Sequence, residues 1–449
     1  MTVPAAPPAA RPSRAAGHRA WWVALVVLGA LVAAAGFRSS TGALLVPLET
    51  EFGWSRATTS GAVTANLVVY GLTAPFAAAL MERFGVRTVV VAALALVAAG
   101  SGLTTVMTAP WELWLLWGLA IGVGTGAMAL VLGSVVANRW FVESRRGLVT
   151  GVFSAAGAAG QLVFLPGIAA LATGPGWRWA ALVVAGASVL LVPLVLLVVR
   201  DHPADVGQPP YGSEPGALPE PAPPRHAPGR PGPARTAVAV LRSSTRSRTF
   251  WILFATFWIC GWSTNGLIGT HFIPAAHDHG MPETTAAGLL ALVGVFDLVG
   301  TIASGWLTDK VDPRLLLCGY YGFRGLSLLF VPALLGPDIH PSLFVFIVFY
   351  GLDWVATVPP TIALCRRHFG VARSSVVFGW VFAAHMVGAG VAASYAGWVR
   401  QATGDYYTAW LTAGGLCLFA ALACLAISRS PGEERDAAPL EEAEVAAVA

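Results

Sequence analysis

The chain has 449 residues, of which 56% are hydrophobic and only 11% charged. A soluble globular protein carries about 25% charged residues, so this chain has too few to clothe a soluble surface. Its net charge of +4 is small, and nothing in the sequence resembles a basic face for nucleic acid. Many apolar runs of about 20 residues mark a membrane protein instead.

Residues 1–20 are rich in Pro and Ala with scattered Arg, and predict a disordered tail. The apolar run that follows is too long for a signal-peptide core and reads as a span. Spans are predicted over 21–47, 57–80, 88–108, 111–137, 147–172, 178–199, 249–274, 284–308, 314–335, 341–365, 374–398 and 406–427. The expected fold is an all-α membrane protein of twelve transmembrane helices in two six-helix halves, over 21–200 and 249–428. Residues 201–248 between them hold PAPPRHAPGRPGPAR and predict a flexible, partly extended linker. An acidic polar tail over 429–449 ends the chain.

An even number of spans puts both termini on one side. Lys and Arg concentrate in the tails, the linker and the turns after spans 2, 4, 8 and 10. The opposite side holds Arg56, Arg178 and Arg400, and Arg38 and Arg324 lie inside spans. The positive-inside rule then places both termini and the linker in the cytoplasm, with the chain multi-pass in the cell membrane.

Glycines crowd span 4 (Gly118, Gly122, Gly124, Gly126), span 5 and span 11. They let helices approach closely, either as fixed packing or as sliding contacts. The pair Pro359-Pro360 removes two backbone donors together and predicts a bend in span 10 toward its cytoplasmic end. The five cysteines lie in or beside apolar runs without CxxC or Cys/His spacing, and read as small buried hydrophobes. Gly122-x-Gly-x-Gly126 lies mid-span, not on a strand-to-helix turn, so it does not cradle a nucleotide. With no nucleophile, metal or phosphate grouping, the chain predicts no enzyme, no cofactor and no metal site.

Two charged turns stand at matching places in the halves. Glu82-Arg83-Phe84-Gly85-Val86-Arg87 follows span 2, and Gly305-x-x-x-Asp309-Lys310 follows span 8. Such repeats suggest a transporter. With twelve spans and a central linker, the chain resembles the major facilitator superfamily, whose turn reads Gly-x-x-x-Asp-Arg/Lys-x-Gly followed by two basic residues. The first copy here has Ala78 for the first Gly, Glu82 for Asp and Val86 for a basic residue. The second has Asp312 where the second Gly would stand.

Within that superfamily it resembles the monocarboxylate-transporter and oxalate:formate-antiporter branch. Val46-Pro-Leu-Glu-Thr-Glu-Phe-Gly-Trp-Ser-Arg56, Trp140-Phe141 with Arg145-Arg146, Asn265-Gly-Leu-Ile-Gly-Thr-His-Phe-Ile-Pro274 and Asp297 carry the likeness. It departs at His18-Arg19-Ala20-Trp21, which replaces an acidic-glycine-aromatic signature. It departs also at Thr301, where those carriers have an arginine, and at Gly118, where proton-coupled drug exporters have one. The resemblance implies secondary active transport of a small organic anion, proton-coupled or exchanging, by a monomer. Proton-driven efflux of a drug or metabolite is the alternative, and a non-transporting membrane sensor a more distant one.

An ionisable group inside a membrane helix costs about 2.5–3.5 kcal/mol on insertion scales, so each one is a candidate site. At a rise of 1.5 Å per residue, Asp297, Arg324, Asp353 and His385 all lie about 15–20 Å from the cytoplasmic ends of their spans. That is midplane depth, where transporters hold substrate and coupling ions. Asp297 on span 8 and Arg324 on span 9 are expected to pair, as a static brace or as a pair remade by protonation. Asp353 on span 10 is expected at the central cavity by the resemblance. His385 is either a packed histidine or an anion or proton site. Arg38, nearer the outer mouth of span 1, suits a carboxylate, which arginine grips bidentately. Asn265 is expected to bond substrate or a neighbouring helix. Glu82, Arg83, Gly85, Arg87, Gly305, Asp309 and Lys310 are read as gating turns.

Overall fold

In lipid, backbone N–H and C=O groups find no water, so a spanning segment satisfies them within a helix. The computed structural model describes residues 18–54, 56–171, 175–214, 216–219 and 232–429. The first tail up to residue 17, the centre of the linker and the acidic tail from 430 lie outside the described residues. So does the side chain of Arg38, whose backbone is helical.

Span 1 is Arg19–Phe52, span 2 Arg56–Phe84, span 3 Val86–Thr104 and span 4 Pro110–Trp140. Span 5 is Glu143–Ser154 continued by Ala156–Leu171, and span 6 is Trp177–Val198. Span 7 is Arg248–Asp278, span 8 Glu283–Thr308 and span 9 Pro313–Leu334. Span 10 opens as Pro341–Asp353 and resumes within the helix Val358–Thr403. That helix turns at Gly370 (φ 74, ψ 160) into span 11. A side chain is strained at such a φ, so glycine closes one span and opens the next. Span 12 is Tyr407–Leu425.

Proline at the first helical turn starts spans 4, 9 and 10, where its missing N–H is harmless. The Ser247 hydroxyl caps span 7 by accepting the Phe250 N–H at 3.2 Å, and Asp312 caps span 9. Leu190, Leu197, Phe323, Trp398 and Leu422 are exposed, as lipid-facing side chains are. Spans 1 and 5, 3 and 6, 7 and 11, and 9 and 12 pack side by side within their halves.

The halves meet through spans 2 and 11 and through spans 5 and 8. A Cβ on Gly305 would lie 2.5 Å from the Gly147 carbonyl oxygen and 2.8 Å from Gly151 Cα. Only glycine lets spans 5 and 8 cross there. On the same side of the molecule, Asn138 Nδ2 donates to Ser374 Oγ at 3.2 Å, and the Ser134 and Ser375 hydroxyls lie 3.3 Å apart. The face that carries the linker is therefore closed.

Two local expectations change. The bend in span 10 lies over 354–357, ahead of the prolines rather than toward the end of the span. Pro359 and Pro360 carry no N–H, so the carbonyls four residues earlier, on Val355 and Ala356, lose their helical partners. The linker also has structure of its own. Tyr211 pairs with Phe141 in an isolated bridge and packs its ring on His18, Trp21 and Phe141. A helix over Pro233–Ser244 buries Ala237, Val240 and Ser244 along one face against spans 2 and 11. Average composition had hidden this short amphipathic stretch.

Candidate functional site: a cavity between the halves

A cavity of about 360 Å³ lies between the halves. Spans 1, 2, 4 and 5 give it Leu31, Tyr70, Met128 and Phe153. The other half gives Phe257, Asn265, Asp297, Trp354, Phe382 and His385. Two of the expected midplane residues thus converge on it, Asp297 and His385, together with Asn265 of span 7.

Asp297 is 2% exposed. Its Oδ1 accepts the Thr301 hydroxyl at 2.7 Å and the Val355 N–H at 3.1 Å. Thr301 is one turn away on the same helix, so the first bond orients the carboxylate. The second ties it to the break in span 10. Next to it, the Ser304 hydroxyl donates to the Ala356 carbonyl at 2.6 Å, one of the two acceptors freed by the prolines.

Arg324 does not pair with Asp297. Its Nε donates to Asp353 Oδ2 at 2.6 Å, and Nη2 donates to the carbonyls of Asp353 and Trp354 at 2.5 and 3.1 Å. Nη1 reaches Cys260 Sγ at 3.1 Å and Ser263 Oγ at 3.4 Å. The guanidinium is wholly buried and its donors are engaged, as a buried cation requires. It replaces the backbone donors that the break removes from span 10. Depth along a helix gives height but not direction, so the expected pairing with Asp297, drawn from spans 8 and 9 being consecutive, gives way to one with Asp353. Asp353 also differs from expectation: it lines not the central cavity but a separate groove of about 410 Å³ between spans 9 and 10, with Arg324.

His385 sits where span 11 crosses span 7. A Cβ on Gly261 would collide with the His385 carbonyl oxygen, so glycine permits the approach. The imidazole stacks on Phe382 (5.9 Å, 8°) and leans on Phe257 (5.0 Å). Its Nε2 is 3.4 Å from Asn265 Nδ2, while Nδ1 is buried without a partner. Asn265 lies in a π-helical stretch, Trp262–Ile268, a distortion frequent at functional sites. His271 bonds the Ala393 carbonyl at 2.8 Å near the end of span 7 remote from the linker, away from the cavity lining.

Cys260, Thr357 and Ser263 were not foreseen. Cys260 is no inert hydrophobe: besides Arg324, its thiol meets Thr357 Oγ1 at 3.3 Å, and the residue lines the cavity. The usable signal was Pro359-Pro360, since broken backbone in lipid demands side-chain partners. Among the described residues no cluster of His, Cys, Asp and Glu could hold a metal ion.

The charged turns behave differently from each other. Asp309 accepts the Gly147 and Leu148 N–H groups at 2.9 and 3.0 Å, joining the halves. Burial pushes its carboxyl above the ordinary value, against the pull of those N–H groups and of Arg366 and Arg145. Lys310 lies 3.8 Å over the Trp306 ring. In the first turn Glu82 pairs with Arg139 of its own half at 2.7 Å. Arg83 lies against the Phe84 ring. Gly85 (φ 86) leaves room for the Asp201 carboxylate, which accepts the Arg87 N–H at 3.0 Å.

The chain is similar to an uncharacterized MFS-type transporter, YcxA, of Bacillus subtilis (strain 168), with 26% identity over 84% of this chain and 87% of the relative. It is similar to monocarboxylate transporter 13 of Rattus norvegicus, with 27% identity over 88% of this chain and 87% of the relative. Its fold matches the crystal structure of the human organic anion transporter MFSD10 (TETRAN) at a TM-score of 0.69. That match has 17% identity and covers 90% of this chain and 99% of the other. The family model described as Major Facilitator Superfamily matches residues 26–393, across both halves and the cavity between them, and the chain belongs to that superfamily.

Proposed function

We propose that the chain is a proton-coupled or exchanging carrier of a small organic anion in the cell membrane, with both termini and the linker in the cytoplasm. The halves over 21–200 and 249–428 move against each other around the cavity, and Asp309 with Gly305 holds the linker face shut between cycles. The relatives named as monocarboxylate transporters and the neighbour named as an organic anion transporter support the substrate class.

The observation that carries the reading is Asp297, a carboxylate in the cavity wall that also holds the backbone of span 10. Two like charges about 4 Å apart repel by about 4 kcal/mol at an effective dielectric of 20. A carboxylate substrate therefore enters best when Asp297 carries a proton. Asp297 then lets the proton go when the cavity faces the other side, and its hold on Val355 changes with its charge. Arg324 and Asp353 keep span 10 in shape meanwhile. Arg38 anchors the anion near the outer mouth, with His385 and Asn265 below.

Uptake of labelled carboxylates into proteoliposomes, with and without an acid-outside gradient, tests this. Accumulation that follows the gradient supports it. Arg38→Ala is expected to abolish uptake at normal membrane levels, with Arg38→Lys a poor rescue. A specific observation favours one other reading: Asp297 is the only charged side chain among the described residues lining a mostly apolar cavity, which suits a lipophilic cation. Efflux of such cations with no carboxylate accumulation would replace the anion reading with that one.

A further inference from the structure

We propose that the linker helix Pro233–Ser244 is a clamp that keeps the linker face shut, fixed to the C-terminal half and docked on the N-terminal half. This rests on the reading that the halves move against each other, and adds what biases the balance between closed and open.

The first support is how the helix is fixed. It runs into span 7 through Thr245, Arg246 and Ser247 alone. The Thr245 carbonyl accepts the Trp251 Nε1–H at 2.8 Å, and Ser247 caps span 7. Further along, Trp380 of span 11 donates from Nε1 to the Ala237 carbonyl at 3.0 Å. Spans 7 and 11 belong to the same half and pack side by side. Two tryptophan N–H groups of one half therefore hold the helix at two points, and it travels with that half.

The second support is what the helix covers. It also packs on span 2, in the other half. A Cβ on Gly232, which precedes its first turn, would lie 3.8 Å from Arg83 Nη1 at the end of span 2. Ala237 and Val240 are buried, whereas Ala234, Arg235 and Arg242 are exposed. A helix of twelve residues is marginal alone in water, so the docked face is what stabilises it. Around Trp380 the halves themselves touch. Its ring meets Phe76 of span 2 edge-on at 5.7 Å, and a Cβ on Gly379 would lie 2.6 Å from Pro75 Cα. The helix thus crosses the seam between spans 2 and 11. Opening the linker face parts those spans, so a helix carried by span 11 must leave span 2 and expose apolar surface. Its docking stabilises the closed form alone, and a contact made in one state only shifts the balance toward that state.

The test reads opening without substrate, so it does not depend on what is carried. Ser375 is buried in the closed face. Ser375→Cys serves as reporter, and its maleimide labelling in detergent is measured above that of the same protein with Ser375 intact. Ala237→Glu puts a charge in the docked face and is expected to raise labelling at least about tenfold. Trp380→Phe keeps a ring against Phe76 and loses one hydrogen bond, for a rise of about fivefold. Ala234→Glu, on the exposed side of the same helix, should stay within about twofold of wild type. Gly305→Leu opens the face by a different route and is the positive control. Each variant is checked for monodisperse elution, and Trp380→Phe decides if Ala237→Glu misfolds. Wild-type labelling of Ala237→Glu and Trp380→Phe, with Gly305→Leu raised, would overturn the clamp and leave the moving halves intact. No rise in any variant would overturn both. A rise in Ala234→Glu equal to that in Ala237→Glu would overturn the docked face as the cause.

Discussion

Spans 4 and 10 are both broken where they face the cavity, but the two breaks are mended differently. In span 4 the helix Gly122–Ala127 ends at Met128 and restarts at Leu130. Its loosened groups find partners within a few residues: Met128 N–H to the Thr125 carbonyl at 3.0 Å, and the Thr125 hydroxyl to the Ile121 carbonyl at 2.7 Å. In span 10 local turns serve only part of the break, with Trp354 N–H to the Gly351 carbonyl and Val358 N–H to the Val355 carbonyl, and the other partners come from other helices: Asp297 and Ser304 of span 8 and Arg324 of span 9. Irregular backbone at membrane depth is tolerated where it lines a cavity and is satisfied. One break is a wall, and the other is wired to a carboxylate that can change charge.

The largest expected effect comes from cutting that wiring. Arg324→Ala leaves Asp353 buried without its cation and strips the carbonyls of Asp353 and Trp354. A loss of about 3–5 kcal/mol is expected, read as a lowered thermal midpoint in detergent. Replacing both partners together with apolar residues, as Arg324→Met with Asp353→Leu, should recover part of it, since contacting sites do not add. A single variant as stable as wild type would show that the guanidinium does not hold span 10.

Next is the crossing of the halves. Gly305→Leu drives a side chain into the Gly147 carbonyl and Gly151, so the linker face is expected to open. Labelling of cysteines introduced on that face should rise several-fold, and unchanged labelling would show that spans 5 and 8 do not seal it.

Asp309 has a smaller and pH-dependent effect. Asp309→Ala removes the acceptor of two N–H groups, worth roughly 1 kcal/mol, or about fivefold in the ratio of closed to open. Burial raises the Asp309 pKa in the closed form, so that form binds the proton more tightly than an exposed carboxyl does. The protonated acid still offers acceptor oxygens without the penalty of a buried charge. Closure is therefore favoured at low pH and weakens as pH rises through the raised value. Labelling should increase with pH in wild type and stay flat in Asp309→Asn.

The smallest effect is expected in span 4. Thr125→Val keeps the shape and loses one local bond, so stability should fall by less than about 1 kcal/mol with transport unchanged. A loss comparable to that of Arg324→Ala would erase the distinction between the breaks.

The twelve spans were legible because lipid allows few solutions: long apolar runs must be helices. Asp297 and His385, read at midplane depth, line the cavity, and so does Asn265, for which the sequence leaves substrate and a neighbouring helix open. Asp353 had the right height and the wrong azimuth, because 1.5 Å per residue fixes only position along the axis. Cys260, Ser263 and Ser304 carried no charge to draw attention, although Pro359-Pro360 announced that some neighbour must bond the freed carbonyls. The helix Pro233–Ser244 was hidden by the prolines around it. Arg38 keeps its expected role, as a proposal, from position in span 1.

Asp297 is proposed to carry the coupling proton. It is tested most directly by accumulation against exchange in the same proteoliposomes. Asp297→Asn keeps the shape and an acceptor oxygen for Thr301 and Val355, and removes the titrating charge. This variant is expected still to exchange internal for external substrate but no longer to accumulate it under an acid-outside gradient. Accumulation at the wild-type level by Asp297→Asn would contradict it.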